Sequence, residues 1–417
     1  MHFLIPWLVL VTVLVGHFGF WLMLLNRINA TGFKRQYIKR TEKLCVLAAL
    51  TIPVAVAVID WSSLVPWLNS SAWWPQNTLV FTLWGGLCLA TFFIVGPVWL
   101  ESRRALLNPP LVLLKETRQH YFVSRQIGRQ LMIDPVFRYF SALPGNQITE
   151  LEVTHKEIEL GRPIAGFDGF KIGHLSDLHL TGKVSQEYYQ FAIARLLDAK
   201  PDLIVITGDI IDYERCLSWI EPLLGQLHAP LGCSFVLGNH DRRLSDIDPL
   251  LELLSGLGHY DLGRSNQLLT INQGSQLWLT GNERPWFRRH VQTTVNAGHN
   301  RNMSVDCPAI TPTTLRIGLS HSPDQIGWAR RLGLDLMLAG HTHGGQIRIP
   351  GLGPLVTPSY YGSRFASGIF HLEPTVMHVG RGLSGVHPVR WFCLPEVSVL
   401  ILKSKSQLTS AHDNGNE

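Results

Sequence analysis

The segment Leu334-Asp335-Leu336-Met337-Leu338-Ala339-Gly340-His341-Thr342-His343-Gly344-Gly345 joins a mostly apolar run directly to two histidines that are one residue apart. Histidines at the end of a buried strand can each offer a ring nitrogen to a different ion of a close metal pair. A His-x-His pair in this position is also common as a purely structural feature. The choice between these interpretations depends on what the rest of the chain places beside the pair.

Four other short apolar runs are also followed by polar residues that can bind metals or take part in catalysis. They are Phe170–Leu175 before Ser176-Asp177-Leu178-His179, Leu203–Thr207 before Gly208-Asp209, Cys233–Leu237 before Gly238-Asn239-His240-Asp241, and Leu315–Leu319 before Ser320-His321. Runs rich in Ile, Val and Leu that alternate with helix-like stretches are typical of central strands buried on both faces. Ligands bind beyond the carboxyl ends of such strands, so the five clusters are expected to meet at one edge.

Together these clusters supply aspartates, an asparagine and several histidines. Oxygen and imidazole ligands without a thiolate are the set expected of a two-metal hydrolytic centre. Taken singly, each residue has an ordinary explanation, since Asp177 could cap a helix, Asn239 could occupy a turn and His321 could be a buried, hydrogen-bonded histidine. Five strands that all end in metal-binding residues favour a shared metal site.

At these residues the chain resembles the calcineurin-like metallophosphoesterase superfamily. The signature of that superfamily runs Asp-x-His, Gly-Asp, Gly-Asn-His-Asp/Glu, a lone His and Gly-His-x-His. The chain has these motifs in order, as Asp177-Leu178-His179, Gly208-Asp209, Gly238-Asn239-His240-Asp241, His321 and Gly340-His341-Thr342-His343. The resemblance covers about residues 167–402 and implies an α/β fold in which two mixed sheets form an α-β-β-α sandwich.

The resemblance also implies which residues bind the metals. One ion would be held by Asp177, His179, Asp209 and His343, and the other by Asp209, Asn239, His321 and His341. Asp209 would bridge the two ions, which can share a water, lower its pKa and present hydroxide to a phosphorus atom. These ligands accept Mn, Fe, Zn or Co, so they imply two divalent ions without identifying the metal.

Residues next to the expected ligands have other expected roles. In the superfamily the position after the asparagine faces the leaving group, so His240 is interpreted as a general acid and Asp241 as the acid that orients it. Because guanidinium groups match phosphate geometry, three arginines are candidates for holding substrate anions: Arg242, Arg243 and Arg381. Three further histidines are interpreted as structural: His174, His228 and His378.

The first hundred residues have the composition of a membrane region. Phe3–Leu25 and Leu79–Leu100 are runs of 23 and 22 residues without formal charge, and each is long enough to span a bilayer as a helix. Between them, Leu44–Ile59 is apolar for 16 residues, which makes it the weakest of three predicted spans. Tryptophans after this middle span resemble an aromatic belt at the far interface.

Charge asymmetry predicts the orientation of these spans. The loop Asn26–Lys43 carries six basic residues and one acid, whereas Asn69–Thr78 carries no charge. The positive-inside rule puts the first loop in the cytoplasm, and three spans return the chain to the same side after Leu100. We therefore expect an integral protein of the inner (cytoplasmic) membrane with a cytoplasmic catalytic domain. Six scattered cysteines without Cys-x-x-Cys spacing agree with a reducing compartment.

These features divide the chain into a transmembrane region at 1–100, a juxtamembrane linker at 101–146, a metallophosphoesterase domain at 147–402 and a polar tail at 403–417. In the linker, Leu111–Met132 is predicted to be a basic helix, either on the anionic inner leaflet or as an ordinary connection. Gln147–Leu160 is predicted to be the leading strand of the domain. The stretch 284–313 lacks clear periodicity and is interpreted either as a substrate-selecting lid or as an insertion.

Details around the motifs, such as Gly344-Gly345-Gln346 and Gly380-Arg381-Gly382-Leu383, resemble a bacterial membrane-associated branch of the superfamily. That branch is similar to enzymes that cleave phosphoester or pyrophosphate bonds of lipid-linked substrates, including UDP-diacylglucosamine hydrolases. The resemblance implies a membrane-anchored di-metal phosphoesterase whose partners are a phosphorylated, lipid-linked substrate and membrane lipid.

Two other functions remain open from the sequence. A nucleotide phosphodiesterase or nuclease would share the metals but would not need three spans. A non-catalytic membrane sensor or scaffold would be expected to lack one or more ligands. The net charge of +5 arises largely from the juxtamembrane segments, so no nucleic-acid partner is expected. The sequence does not indicate the oligomeric state.

Overall fold

A computed structural model of the chain describes residues 4–271, 274–288 and 307–403, with the side chains of 104–107 excepted. The predicted polar tail from 404 onward and residues 289–306 of the predicted lid or insertion lie outside the described residues. The chain divides into two compact units. The helical unit consists of Met1–Leu107 and Pro358–Arg364, and the sheet unit consists of Asn108–Thr357 and Phe365–Glu417.

The helical unit is built from four helices. They are α1 (Leu4–Asn29), α2 (Arg35–Ile59), α3 (Trp61–Leu68) and α4 (Leu79–Leu107). Helices α1, α2 and α4 are long and apolar enough to cross a membrane, so the prediction of three apolar helices is confirmed. The predicted weak middle span is a full-length helix because the polar stretch from Arg35 continues into the apolar run.

One histidine joins the three long helices. His17 of α1 donates from Nε2 to the Ala49 carbonyl of α2 at 3.0 Å and accepts at Nδ1 from Trp84 Nε1 of α4 at 3.1 Å. Beside it, a Cβ added to Gly16 would lie 2.0 Å from the Cys88 carbonyl oxygen, so α1 and α4 approach closely at this glycine. Small residues at helix contacts and polar side chains between helices are typical of packing inside membranes.

A short stretch that is distant in sequence belongs to the same unit. Within Pro358–Arg364, the ring of Tyr360 lies under the Arg27 guanidinium, with 5.3 Å between Cζ and the ring centroid. Arg103 donates from Nη2 to the Ser363 hydroxyl. Arg27 lies in the last turn of α1 and Arg103 near the end of α4. The stretch is therefore held at the carboxyl-terminal ends of two candidate spans.

The sheet unit contains two large sheets and a small hairpin. Its strands are β1 (Leu113–Phe122), β2 (Glu150–Glu159), β3 (Lys171–Leu175), β4 (Leu203–Thr207), β5 (Cys233–Val236), β6 (Tyr260–Asp261), β7 (Gln267–Thr270), β8 (Gln276–Asn282), β9 (Thr314–Ser320), β10 (Leu336–Ala339), β11 (Arg348–Ile349), β12 (Gly353–Pro354), β13 (Gly368–Leu372), β14 (Thr375–Val379) and β15 (Glu396–Lys403). Its helices are α5 (Val123–Ile127), α6 (Pro135–Ser141), α7 (Gln186–Asp198), α8 (Ile220–Leu224), α9 (Asp248–Gly256) and α10 (Ile326–Arg331).

Both large sheets are mixed. The seven-stranded sheet has the order β1-β2-β15-β3-β4-β5-β6, and the six-stranded sheet has the order β13-β14-β10-β9-β8-β7. Strands β3, β4 and β5 run parallel to one another, as do β8, β9, β10 and β14. The five strands that precede the polar clusters are therefore central strands in parallel ladders, which explains why their sequences are mostly apolar.

Three apolar clusters define the layers. Alternate residues of one strand face opposite sides, so Val205 of β4 packs between the two sheets while Ile204 and Ile206 pack under α7, α8 and α9. On the far side of the second sheet, Met337 of β10 packs with Ile326 of α10. The sheet unit is thus an α-β-β-α sandwich of two mixed sheets, as the sequence predicts.

The start of the sheet unit differs from the sequence prediction. Leu111–Met132 is not a single basic helix: most of it is β1, which pairs antiparallel with β2 from Leu113 to Phe122, followed by the short α5. Strand β1 is an edge strand whose side chains are mostly exposed, so it lacks the apolar alternation by which strands are recognised. The predicted strand at Gln147–Leu160 is present as β2.

Candidate metal centre

The predicted ligands meet beyond the carboxyl ends of five strands. Asp177 and His179 follow β3, Asp209 follows β4, Asn239 follows β5, His321 follows β9, and His341 and His343 follow β10. Asp177, His179, Asp209, His321 and His341 are buried. Both sheets thus contribute to one polar centre at the same edge of the sandwich, which is where ligands bind in sheets with parallel strands.

The backbone is unusual at these positions. Nine non-glycine residues in the described part of the chain have a positive φ, and five of them are predicted ligands: Asp177, His179, Asp209, His341 and His343. The left-handed region costs a residue with a side chain roughly 1 kcal/mol or more, so it persists where the surrounding structure requires it. Packing is also tight, since a Cβ on Gly238 would lie 2.3 Å from Asp209 Oδ1 and one on Gly340 would lie 2.5 Å from Asp177 Oδ2.

The first group of donor atoms comes from Asp177, His179, Asp209 and His343, and all lie within 4.8 Å of one another. His179 Nε2 is 3.1 Å from His343 Nε2 and 3.5 Å from Asp209 Oδ2. His343 Nε2 is 3.4 Å from Asp177 Oδ1. Two ring nitrogens and two carboxylates that converge in this way match the ligand chemistry of a divalent transition metal.

The second group comes from Asp209, His321 and His341, whose donor atoms also lie within 4.8 Å of one another. His321 Nε2 is 3.2 Å from Asp209 Oδ2, 3.2 Å from His341 Nδ1 and 3.1 Å from Asn239 Oδ1. Asn239 therefore adds a neutral oxygen to this group. The same Asp209 Oδ2 approaches both groups, which places one carboxylate between two potential cation positions.

Hydrogen bonds on the outer side of the rings orient the lone pairs toward the centre. His179 Nδ1 is 2.7 Å from Asp212 Oδ2, His321 Nδ1 is 2.7 Å from the Thr207 carbonyl, and His343 Nδ1 is 3.2 Å from the Ser384 carbonyl. Each ring donates from Nδ1 to these acceptors, which leaves the Nε2 lone pair free to bind a metal. Within the described residues, Nε2 of His341 is buried without a hydrogen-bond partner. These donors fit two divalent metals.

Electrostatics of the centre favour cations. Burial opposes ionisation of Asp209, but His321 and His240 lower the pKa of its carboxyl well below the usual range. Burial alone would lower the pKa of His321, whereas the Asp209 carboxylate raises it to about 9. The centre thus keeps an anion at Asp209 and attracts a positive charge beside it, a position that a metal ion can take in place of a proton.

The arrangement around His240 corrects one sequence interpretation. The sequence suggests Asp241 as the acid that orients His240, but Asp241 accepts from the backbone N–H groups of Ile210 and Ile211 at 2.9 Å and of Gly238 at 2.7 Å. Asp212 instead accepts from His240 Nδ1 at 2.5 Å. Asp241 is fully buried, and its carboxyl group connects the turns after β4 and β5 through these backbone hydrogen bonds.

Asp212 is the site residue that sequence reasoning missed. One oxygen binds His240 and the other binds His179, so a single carboxylate orients a predicted ligand and the predicted acid. His179 and His240 lower the pKa of Asp212 well below the usual range although burial opposes this. The spacing Gly208-Asp209-Ile210-Ile211-Asp212 is a usable signal, because an acid three residues after a ligand remains near the same strand end.

The candidate arginines are distributed differently. Arg243 lies at the centre, where Nη1 donates to Asp212 Oδ1 and Nη2 to His240 Nε2, both at 2.5 Å. Arg381 is buried and paired with Glu152 and Glu396, so it cannot hold a substrate anion in this conformation. The expectation for Arg381 is therefore wrong, and the guanidinium serves the packing of β2 against β15. Arg242 is exposed.

The three remaining histidines agree with a structural interpretation. His174 and His378 are buried and lie 2.9 Å apart through their Nδ1 atoms. His174 Nε2 contacts the Thr207 hydroxyl at 2.8 Å, and His378 Nε2 contacts Lys156 Nζ at 3.3 Å. His228 interacts with the nearby Gln226 carbonyl at 2.7 Å. These contacts involve a threonine, a lysine, a main-chain carbonyl and the other histidine of the pair, and not the predicted ligands.

An aromatic residue covers part of the centre. The Trp286 ring centroid is 4.7 Å from that of His341 and 5.2 Å from that of His321. Trp286 belongs to the stretch interpreted from sequence as a lid or an insertion, and it is buried. The described beginning of that stretch therefore packs against the second ligand group, beside the candidate metals, where a substrate-selecting lid would lie.

Glu283, just before this stretch, provides a test of pH-dependent stability. Burial, followed by repulsion from Asp261, raises the pKa of Glu283 to about 8 from its ordinary value of 4.5. A raised acid pKa means that the unfolded chain releases this proton first, so stability falls as pH rises from about 4.5 to about 8. We expect Glu283→Gln to stabilise the protein increasingly across this window, by up to about 3 kcal/mol near pH 7.

The measurement is the thermal unfolding midpoint in detergent at pH 5 and pH 7.5. Glutamine can still accept from the Leu237 N–H, which Glu283 Oε1 now does at 2.7 Å, so the substitution changes charge more than shape. Glu221→Gln, which removes a carboxylate at an exposed position, is the matched control. A Glu283→Gln effect that does not grow with pH would contradict the assignment.

Comparison with known proteins supports the interpretation of these residues as a metal centre. A family model described as calcineurin-like phosphoesterase matches residues 170–345. The metallophosphoesterase YkuE of Bacillus subtilis is 33% identical over 259 residues, covering 61% of this chain and 86% of YkuE. A transmembrane protein with metallophosphoesterase domain of Danio rerio is 28% identical over 288 residues, covering 67% of this chain and 63% of that protein.

A third relative is UDP-2,3-diacylglucosamine pyrophosphatase LpxG of Chlamydia muridarum, which is 27% identical over 292 residues, covering 60% of this chain and 88% of LpxG. The matched family region contains every strand end that contributes to the centre from Asp177 to His343. The chain belongs to the calcineurin-like phosphoesterase family and is a metal-dependent phosphoester hydrolase.

Proposed function

We propose that this protein is a membrane-anchored di-metal phosphoesterase that hydrolyses a phosphoester or pyrophosphate bond of a lipid-linked substrate. The observation that carries the proposal is the pair of donor groups that share Asp209, one completed by Asp177, His179 and His343 and the other by His321 and His341. Asn239 joins the second group. This donor set is complete, which argues against a non-catalytic sensor or scaffold.

Divalent ions in these groups would supply a water of lowered pKa as the nucleophile and would neutralise the phosphoryl oxygens. Side chains of the protein position the two ligand groups. Asp209 sets the position of both groups, because Oδ2 points between them while Oδ1 accepts from the His240 N–H at 2.7 Å. Asp177 is held by the His341 backbone N–H at 3.1 Å, so it connects the loop after β3 to the loop after β10.

His240, with its partners Asp212 and Arg243, would interact with the leaving group. Its Nδ1–H donates to Asp212, which leaves Nε2 facing the Arg243 guanidinium. Burial lowers the pKa of His240 to about 4, so the neutral ring is the resting form. To act as a general acid, Nε2 would first accept a proton released by the nucleophilic water and would then pass that proton to the leaving-group oxygen. Arg243 is placed to receive a phosphoryl or leaving-group oxygen, and Asp212 would stabilise the charged imidazole.

Several observations support a lipid-linked substrate and a membrane location. Three helices in the same chain are long and apolar enough to cross a bilayer. The relative LpxG is named for pyrophosphatase activity on UDP-2,3-diacylglucosamine, a lipid-linked nucleotide. The basic loop between α1 and α2 favours a cytoplasmic catalytic domain at the inner membrane. We propose the division predicted from sequence, with the membrane region at 1–100, a linker at 101–146 that contributes β1 to the seven-stranded sheet, the catalytic domain at 147–402 and the tail at 403–417.

The test uses the full chain in lipid nanodiscs. After EDTA treatment and dialysis, hydrolysis of bis-p-nitrophenyl phosphate should be lost, and added Mn²⁺ should restore it. Next, kcat/KM is compared for UDP-2,3-diacylglucosamine, the unacylated UDP-sugar and a cyclic nucleotide. We expect the acylated substrate to be preferred by at least about tenfold, since a shared bilayer raises its local concentration. Equal or greater activity on the cyclic nucleotide would contradict the lipid-linked assignment.

A further inference from the structure

The chain that follows the His343 turn exposes several apolar side chains in close succession. The exposed fractions lie between 40 and 62% for the following residues: Ile347, Ile349, Leu352, Val356, Tyr360 and Tyr361. We call Ile347–Tyr361 the apolar segment. Exposed apolar groups that follow one another this closely mark an interaction surface more often than an ordinary loop.

One end of the apolar segment is tied to the metal centre. The turn after His343 is close-packed against it, since Arg348 Nε donates to the Gly344 carbonyl at 2.8 Å. A Cβ on Gly345 would lie 2.2 Å from Pro354 Cβ, so hairpin β11–β12 is seated directly on this turn. Movement of the hairpin would therefore displace the loop that holds His343.

The other end of the apolar segment enters the helical unit. Tyr360 lies under Arg27 of α1, and the next residues reach Ser363, which accepts from Arg103 of α4. These arginines sit near the ends of helices that are long and apolar enough to cross a bilayer. Tyrosine beside arginine at the end of a spanning helix is typical of the membrane interface.

The charge of this region suits a membrane surface. From Gln346 to Phe365 the sequence contains two arginines and no acid. Phe392, which is 67% exposed, lies beside the segment because Arg348 N donates to the Trp391 carbonyl at 2.9 Å. Apolar and aromatic side chains with basic neighbours and no acids bind the headgroup layer of anionic bilayers through burial and charge together.

We propose that the apolar segment, together with Phe392, is a membrane-contacting surface that lies in the headgroup layer of an anionic bilayer. The occupant of this surface is lipid, not a second copy of the chain or a separate protein. Because Arg348 and Pro354 pack on the turn after His343, lipid bound to this surface would contact a hairpin that supports the loop of a predicted ligand. The inference does not depend on which phosphoester is hydrolysed.

The test is fluorescence quenching in nanodiscs of phosphatidylethanolamine and phosphatidylglycerol, with the full chain. Cys307, the exposed cysteine, is first changed to serine, while the other five cysteines are buried. Ile349→Cys and Leu352→Cys are each labelled with the environment-sensitive dye NBD. Gln226→Cys, at an exposed position of the sheet unit, is the matched control.

We expect blue-shifted emission at 349 and 352, and quenching by lipids with a shallow doxyl group at least about twofold stronger than at 226. Quenching at 349 and 352 that equals the control would overturn the proposal. Blue-shifted emission without lipid quenching, accompanied by disulfide cross-linking between two unlabelled Leu352→Cys chains, would also overturn it in favour of a contact between copies. The readout requires no substrate, so its failure is separate from failure of the proposed lipid-linked activity.

Discussion

Asp209→Ala is expected to remove hydrolysis of bis-p-nitrophenyl phosphate to the background rate. One oxygen of this carboxylate approaches both ligand groups, at 3.5 Å from His179 Nε2 and 3.2 Å from His321 Nε2. Its loss therefore weakens two cation positions at once. Because removal of a single electrostatic contact in an active site costs about 10²–10³-fold, we expect a decrease in kcat of at least about 10³-fold.

Three measurements separate this effect from misfolding. The bound metal per chain, determined by mass spectrometry, should fall in Asp209→Ala, while the circular dichroism spectrum remains unchanged. Asp198→Ala, which removes an exposed carboxylate paired with Arg195 at the end of α7, is the matched control and should retain activity within about twofold. Full activity in Asp209→Ala with undiminished metal would exclude the bridging assignment.

His240→Gln is expected to lower kcat in a manner that depends on the leaving group. General acid catalysis contributes about 10²–10⁴-fold when the leaving group needs a proton. We therefore expect a loss of this size for an alkyl phosphodiester, whose leaving alkoxide is strongly basic. For bis-p-nitrophenyl phosphate, whose leaving group is stable without a proton, the loss should be about tenfold or less.

The leaving-group dependence is the decisive readout, because a purely structural role would reduce both rates equally. Glutamine can preserve a hydrogen bond to Asp212, so His179 should keep its orientation and the metal content should be unchanged. Equal losses on the two substrates would assign His240 to positioning. A decrease in metal content would instead make His240 part of the metal-binding shell.

The metal ligands can be predicted from the sequence because each follows an apolar strand, and the ends of such strands can be recognised from the local sequence. Asp212 is harder to recognise because its role is to accept hydrogen bonds from two imidazole rings, His179 and His240, which follow other strands. The same limit applies to Asp241, whose sequence neighbour suggests a contact that backbone N–H groups take instead. Local sequence identifies what can bind, whereas side-chain direction depends on distant packing.

For the fold as well, features that depend on local sequence can be predicted, whereas features that depend on distant contacts cannot. Central strands such as β4 are buried and mostly apolar and can be predicted, whereas the edge strand β1 is polar and resembles a helix. The placement of Pro358–Arg364 in the helical unit could not be predicted either. It depends on contacts between Tyr360 and Arg27 and between Ser363 and Arg103, which are hundreds of residues apart in sequence.

That placement also limits how the protein can be shortened for biochemistry. A polypeptide that begins at Asn108 would keep Tyr360 and Ser363 but lose Arg27 and Arg103, their partners. Deleting the three long helices therefore leaves exposed aromatic side chains on the remaining chain, and we expect these side chains to promote aggregation of the truncated protein. We therefore expect polar replacements at Tyr360 and Tyr361, combined with the deletion, to reduce this aggregation.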